Sequence, residues 1–176
     1  MDDQPCVALA PMDRQYLEAT RRWANDAALN AGMLRLWPPS QDDQERWFAG
    51  LLDNPAKRVF AVLWRENGRH IGNTGLYNID WLHRRAEFWI LIGERDYHGR
   101  GAGSAAMALM RRFAFDGMGL NRLFLRVDPE NAPAVALYTR QGFLKEGLLR
   151  EESFIQGRFR DVLVMSQLRK DYERQK

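Results

Sequence analysis

Apolar positions along the chain switch repeatedly between a period of two and a period near 3.6. The strongest switch comes after the run Glu87-Phe88-Trp89-Ile90-Leu91-Ile92-Gly93, which has strand length and strand composition. A turn follows, His98-Gly99-Arg100-Gly101-Ala102-Gly103. Beyond it Ala106, Leu109, Met110 and Phe113 recur at i, i+3, i+4, i+7, which predicts a helix over 104–115 with one buried face. Upstream, Tyr16, Leu17, Thr20 and Trp23 mark a helix over 13–25 capped by Asp13. Trp47, Phe48, Leu51 and Leu52 mark a second, capped by Ser40. Residues 29–39 read as irregular, broken by Gly32 and Pro38-Pro39.

Strands are predicted over 7–9 as an edge, then 59–64, 70–77 and 85–93 as a meander, with Asn67-Gly68 as a hairpin turn. Gly117 and Gly119 close the central helix. The run 122–127 is a strand that a helical crossover should place parallel to 85–93. Asn131 caps a further helix, with Pro133 in its first turn and Gly142 past its end. Residues 143–150 and 161–165 form a closing hairpin with a long connection, and the charged tail after Leu168 reads as a solvated helix end. The expected architecture is one α/β (α+β) domain over 1–176: about seven mixed, mostly antiparallel strands with a central parallel pair, and about four helices.

Composition narrows the function. The 176 residues suffice for one core, and 45% hydrophobic content is that of a globular chain. The net charge of +3 is too small to point to nucleic acid. No apolar run reaches the roughly 18 residues of a membrane span. The start, Met1-Asp2-Asp3-Gln4-Pro5, lacks signal-peptide character, and a single cysteine excludes an internal disulfide, so a cytoplasmic protein is expected. The three histidines, His70, His83 and His98, show no metal-ligand spacing, so no metal is expected.

The glycine turn carries the candidate chemistry. Glycines ahead of a helix expose several backbone N–H groups at its positive end, an arrangement suited to phosphate. The third glycine of a dinucleotide fingerprint would fall at Ser104, and the Gly-Lys-Ser/Thr of a P-loop is missing. The turn resembles the acyl-CoA signature of the GNAT N-acetyltransferase superfamily, Gln/Arg-x-x-Gly-x-Gly/Ala, with His98 in the first place. Two further stretches are similar to that superfamily: Asn131-Ala132-Pro133-Ala134-Val135-Ala136-Leu137-Tyr138 with Gln141-Gly142-Phe143, and Gly157-Arg158-Phe159-Arg160-Asp161 with Met165. Within it, His83-Arg84-Arg85-Ala86-Glu87-Phe88 resembles bacterial spermidine N-acetyltransferases and, less closely, ribosomal-protein N-terminal acetyltransferases.

That resemblance implies acetyl-CoA in a gap between the strand of Glu87 and the strand of Leu123. Its diphosphate would meet backbone from His98, Gly99, Arg100, Gly101, Ala102, Gly103 and Ser104. Its pantetheine would pair with Ile90, Leu91 and Ile92, and Asn131 would reach its arm. Tyr138 would protonate the leaving thiolate, and Glu87 would serve as general base. Glu87 has a plainer reading as an edge carboxylate paired with Arg85 or Arg126. Trp37, Trp47, Trp81 and Trp89 are expected in the core rather than on a substrate wall. The acceptor would be an amine: a polyamine, a protein N-terminus, or an amino sugar or antibiotic. The polyamine enzymes carry adjacent acids after the first helix, where this chain has Leu36-Trp37-Pro38-Pro39. A non-catalytic acyl-CoA-binding or protein-interaction module is the alternative, and a homodimer is left open.

Overall fold

The structure is a computed structural model that describes residues 4–30, 38–155 and 157–176. Strand β1 (Val7–Pro11) leads through a 3-10 turn (Arg14–Tyr16) into α1 (Leu17–Ala24) and the short α2 (Ala27–Asn30). Helix α3 (Gln41–Leu52) precedes the meander β2 (Arg58–Trp64), β3 (His70–Asp80) and β4 (Arg85–Ile92). Helix α4 (Ala102–Arg112) and a π turn (Phe113–Gly117) carry the chain to β5 (Arg122–Val127). Helix α5 (Ala132–Arg140), β6 (Leu144–Ile155), β7 (Arg158–Leu168) and α6 (Arg169–Glu173) complete it. No helix among the described residues is long and apolar enough to cross a membrane.

The local signals explain most of these boundaries. The Ser40 hydroxyl accepts from Asp43 N while the Asp43 carboxylate accepts from Ser40 N, a reciprocal capping box. Asn131 Oδ1 accepts from Ala134 N, and Gly142 stands just past α5 with φ +86°. Gly68, at φ +69°, turns β2 into β3 as the Asn-Gly pair requires.

All seven strands form one sheet in the order β1-β2-β3-β4-β5-β7-β6. Among the described residues only β4 and β5 pair in parallel, joined by the predicted crossover through α4. They pair at just three positions: Arg85 with Arg122, Ala86 with Leu123, and Glu87 with Phe124. Beyond Glu87 the two strands part, while β5 stays paired to β7 as far as Val127. The sheet is thus split from one end, along the edge of β4 from Phe88 to Ile92.

Alternation along β4 sends Phe88, Ile90 and Ile92 to one face and Glu87, Trp89 and Leu91 to the other. On the first face Phe88 joins Met107, Met110 and Phe115 of the crossover, Leu123 and Leu125 of β5, and Tyr138 of α5 in the main core. Burying side chains of that size contributes about 1.5–3 kcal/mol each. A smaller cluster under the start of α4 joins Val7, Val62, Ile71, Ala102 and Ala106. The second face is met by α1 and α3: Asn73 Nδ2 donates to Thr20 Oγ1 at 2.9 Å, and Trp47 Nε1 donates to Tyr77 Oη at 3.0 Å.

Several expectations change. The central helix starts earlier than 104, and its fully buried positions are Ala102, Ala106, Met107, Met110 and Arg111, with Leu109 and Phe113 only partly covered. The first helix begins as a 3-10 turn, and Leu29 and Asn30, expected to be irregular, belong to the short helix α2. Residues 31–37, and with them Trp37, lie outside the described residues. Leu52 is 67% exposed, because α3 is already ending there. The long connection predicted before residue 161 is instead strand: β6 runs to Ile155 and β7 begins at Arg158. The tail is not simply solvated, since Tyr172 is buried and stacks on Phe115 at 4.9 Å. Edge strand β6 carries bulges near Glu146 and across 150–152, and charged side chains between its leucines, devices that blunt an edge against further pairing.

Candidate active site

A cavity of about 1130 Å3 occupies the split between β4 and β5. All six residues from Glu87 to Ile92 line it, so it reaches both faces of the sheet. His98 and Gly103 border it on the α4 side, Asn131 and Tyr138 on the α5 side, and Trp47, Tyr77 and Asn73 on the side of α1 and α3. One continuous space therefore connects the glycine turn, the proposed acid and the proposed base.

The glycine turn has the backbone that its sequence implies. Gly99 and Gly101 sit at φ +71° and +84°, a region that side chains disfavour, and Gly101 is the N-cap of α4 without any side-chain cap. A Cβ at either position would meet nothing within 4 Å, so these glycines serve the backbone angle rather than close packing. The first helical bond runs from Ala105 N to Gly101 O, which leaves the N–H groups of Ala102, Gly103 and Ser104 without a helical acceptor. A helix N-terminus of this kind favours an anion. Arg100 braces the turn, its guanidinium 4.8 Å from the Trp64 ring and 5.2 Å from the Tyr97 ring. The His98 ring bonds to the Ile92 carbonyl at 2.8 Å, tying the turn to the end of β4. That contact occupies the Ile92 oxygen and leaves the Phe88–Leu91 stretch as the open edge. A diphosphate at α4 and an amide-bearing arm along β4 both fit these features.

Tyr138 is buried in α5, its ring edge-on to Phe88 at 6.5 Å and tilted to Phe143 at 6.3 Å. Burial pushes its phenol up to about 12. It is therefore protonated throughout the physiological range. Against an ordinary thiol near 8.5, proton donation is uphill by about 3.5 units, or about 5 kcal/mol. A thiolate released into the same dry cavity is itself destabilised, which narrows the gap.

Glu87 is half-buried on the α1/α3 face of β4, opposite Tyr77. Its carboxylate accepts from Asn78 Nδ2 at 2.8 Å, so its partner is a neutral amide rather than the arginine expected of an edge carboxylate. Two tryptophans assigned to the core are instead on the cavity wall, Trp47 and Trp89, while Trp81 is 43% exposed. Other cavity residues escaped sequence reasoning. Asn73 is buried and bonds to the His70 ring at 2.8 Å as well as to Thr20. Asp128 is buried with Arg160 at 2.6 Å, and Arg160 also reaches Glu130 at 3.1 Å. The run Val127-Asp128-Pro129 reads only as the end of a strand, and nothing local links it to an arginine thirty-two residues away. No group of three or more metal-ligating side chains is found among the described residues.

Known proteins agree with this geometry. Residues 7–144 match the family described as "Acetyltransferase (GNAT) domain". The spermidine N(1)-acetyltransferase of Escherichia coli K12 is 32% identical over 163 residues, spanning 90% of this chain and 84% of that protein. Its counterpart in Vibrio cholerae is 35% identical over 133 residues, 76% of each chain. The solved structure of spermidine N-acetyltransferase from Vibrio cholerae in complex with CoA and spermine superposes with TM-score 0.90 at 30% identity, covering 96% of this chain and 98% of that one. The chain belongs to the GNAT acetyltransferase family and is an acetyl-CoA-dependent N-acetyltransferase.

Proposed function

We propose that the acceptor is a protonated alkyl amine of the polyamine class, taken up on the α1/α3 side of the split and acetylated on a primary nitrogen. The observation that carries this reading is the lining of the cavity. Four carboxylates, Asp43, Glu87, Asp128 and Glu130, face the same cavity as the aromatic rings of Trp47, Tyr77 and Trp89. Carboxylates and aromatic faces are the two surfaces that hold ammonium groups and the methylenes between them. The spermidine N-acetyltransferases among its relatives favour the same class.

Acetyl-CoA supplies an acetyl group activated as a thioester. Glu87 accepts the proton that the ammonium must lose before its nitrogen can attack. Its neutral partner leaves its negative charge uncancelled for that task. Tyr138 holds a proton at its phenol oxygen for the departing sulfur. The N–H groups of Ala102, Gly103 and Ser104 bind the diphosphate, and the β4 edge aligns the pantetheine arm. Asn131 fixes the first turn of α5 and with it the placement of Tyr138.

A second reading has its own support. Three of the four carboxylates are already matched by arginines: Asp43 by Arg46, Asp128 by Arg160, and Glu130 by Arg160. That favours an acceptor with a single ammonium, such as a peptide N-terminus or an amino sugar. Thiol release from acetyl-CoA, measured across putrescine, spermidine, spermine, amino sugars and N-terminal peptides, decides between them. The polyamine reading expects spermidine or spermine to give the highest kcat/KM. A peptide or amino sugar exceeding them would overturn it.

A further inference from the structure

Trp89 is seated in a way that stability alone does not explain. Its indole Nε1 is buried without a hydrogen-bond partner, one of two such side-chain atoms among the described residues. Buried polar groups are normally satisfied, so an orphaned N–H calls for a reason. A phenylalanine would offer a similar apolar ring without the stranded donor. The slot beneath the ring exists only because residue 75 is glycine. A Cβ there would lie 3.0 Å from Trp89 Nε1 and 2.5 Å from the Arg58 carbonyl oxygen.

The neighbours hold the ring rigidly. Thr74 Oγ1 donates to the Trp89 carbonyl at 2.8 Å, fixing the backbone of β4 at that residue. Tyr77 lies alongside at 5.4 Å with 33° between the ring planes, and Trp47 secures the Tyr77 hydroxyl from α3. Glu87 precedes Trp89 by two residues and shares its face of the strand. The side chains of Trp47, Tyr77, Glu87 and Trp89 all line the cavity.

We propose that Trp89, backed by Tyr77 and Trp47, is the specificity-determining wall for the acceptor, binding its ammonium and adjoining methylenes against the indole face beside Glu87. Indole is the strongest of the aromatic partners for a cation, which explains why a tryptophan persists where a phenylalanine would pack without penalty. The inference rests on the amine-acetyltransferase reading of the cavity and adds the group that selects the amine.

The experiment combines kinetics with a direct signal. Trp89→Phe keeps an aromatic ring and removes the stranded N–H; Trp89→Leu removes the π face. Trp89→Phe should melt no lower than the parent and raise the acceptor KM several-fold. Trp89→Leu should raise it about ten-fold or more, the scale of one cation–π contact in a desolvated site. In both variants the KM for acetyl-CoA should stay within about two-fold. In the 15N-labelled parent, the indole cross-peak absent from Trp89→Phe identifies Trp89. It should shift saturably as spermidine or tetramethylammonium is added to the CoA complex. A panel in which no amine releases thiol contradicts the transferase reading itself. An amine that is turned over while the Trp89 variants keep the parental acceptor KM overturns the wall. So does a Trp89 cross-peak that moves with no amine tested, whether or not turnover is seen.

Discussion

At the scale of single residues, the account depends on how burial sets protonation. Tyr138 is a weak acid because it is buried, and its phenol stays protonated to about pH 12. The alkaline limb of kcat should therefore not report Tyr138 anywhere below about pH 11. Tyr138→Phe should lower kcat by roughly 10²–10⁴, the range for general acid catalysis, with little change in CoA affinity. Steady-state rates paired with CoA titration check both parts. His70 provides a second case. Burial holds its imidazole below the ordinary value, opposed by its bond to Asn73, while Tyr16 and Trp23 pack on its ring at 4.7 Å each. Glu94 and Arg22 are the charges that face it, with opposite effects. A histidine with a depressed folded value binds fewer protons folded than unfolded. Its contribution to stability is thus complete above the unfolded value of about 6.5 and is lost as pH falls below it. The melting temperature of the parent should drop faster between pH 6.5 and 5 than that of His70→Gln, and parallel slopes would contradict this.

At the scale of elements, two attachments position the split. Helix α1 is fastened to the end of β4 by Trp23, whose ring lies where a side chain on Gly93 would have to go. Trp23 Nε1 donates to Glu94 at 2.9 Å, and Arg22 and Arg69 meet the same carboxylate at 2.5 Å each. Gly93→Ala should expel the indole and loosen α1, costing roughly 1–3 kcal/mol by overpacking. Chemical denaturation would measure it, and a change under about 0.5 kcal/mol would refute the packing argument. The second attachment is at the far end of α4. Arg111 is buried, and its guanidinium is shared among the side-chain oxygens of Gln167, Gln141 and Gln175. Tyr172 covers it, donating its hydroxyl to Asp116 at 2.7 Å. Removing residues 169–176 uncovers Arg111 and Phe115, and should lower the melting temperature by several degrees without altering the acceptor profile. The tail is a clamp on α4 and stands apart from the cavity.

At the scale of the whole molecule, what was readable from the chain follows the range of the interaction. The Asn67-Gly68 hairpin, the Ser40–Asp43 box, the Asn131 cap and the glycine turn are written within a few residues, and each appears where local chemistry puts it. The parallel pairing of β4 with β5 was also legible, because a helical crossover permits only that arrangement. The closing hairpin was legible at 143–150 and 161–165, but its extension to Ile155 and from Arg158 was not, because there the strands are mostly exposed and charged and lack the alternation that marks a half-buried strand. Nor could periodicity tell a cavity wall from a core. It places Trp89 on a face of β4, but the Gly75 slot beneath it is a cross-strand feature. The same holds for the Asp128–Arg160 pair and for His98 on Ile92, whose partners lie in other elements.

The claim that joins these scales is that the N-terminus of α4 and the open edge of β4 together hold the coenzyme. Calorimetric titration of CoA into the parent and into Gly101→Val tests it most directly. Valine at φ +84° strains the turn while leaving the cavity wall in place. The account predicts saturable one-to-one binding by the parent and a loss of at least about ten-fold in the variant, with a melting temperature that shows it folded. Absence of heat with the parent, or equal affinity in the two proteins, would contradict it.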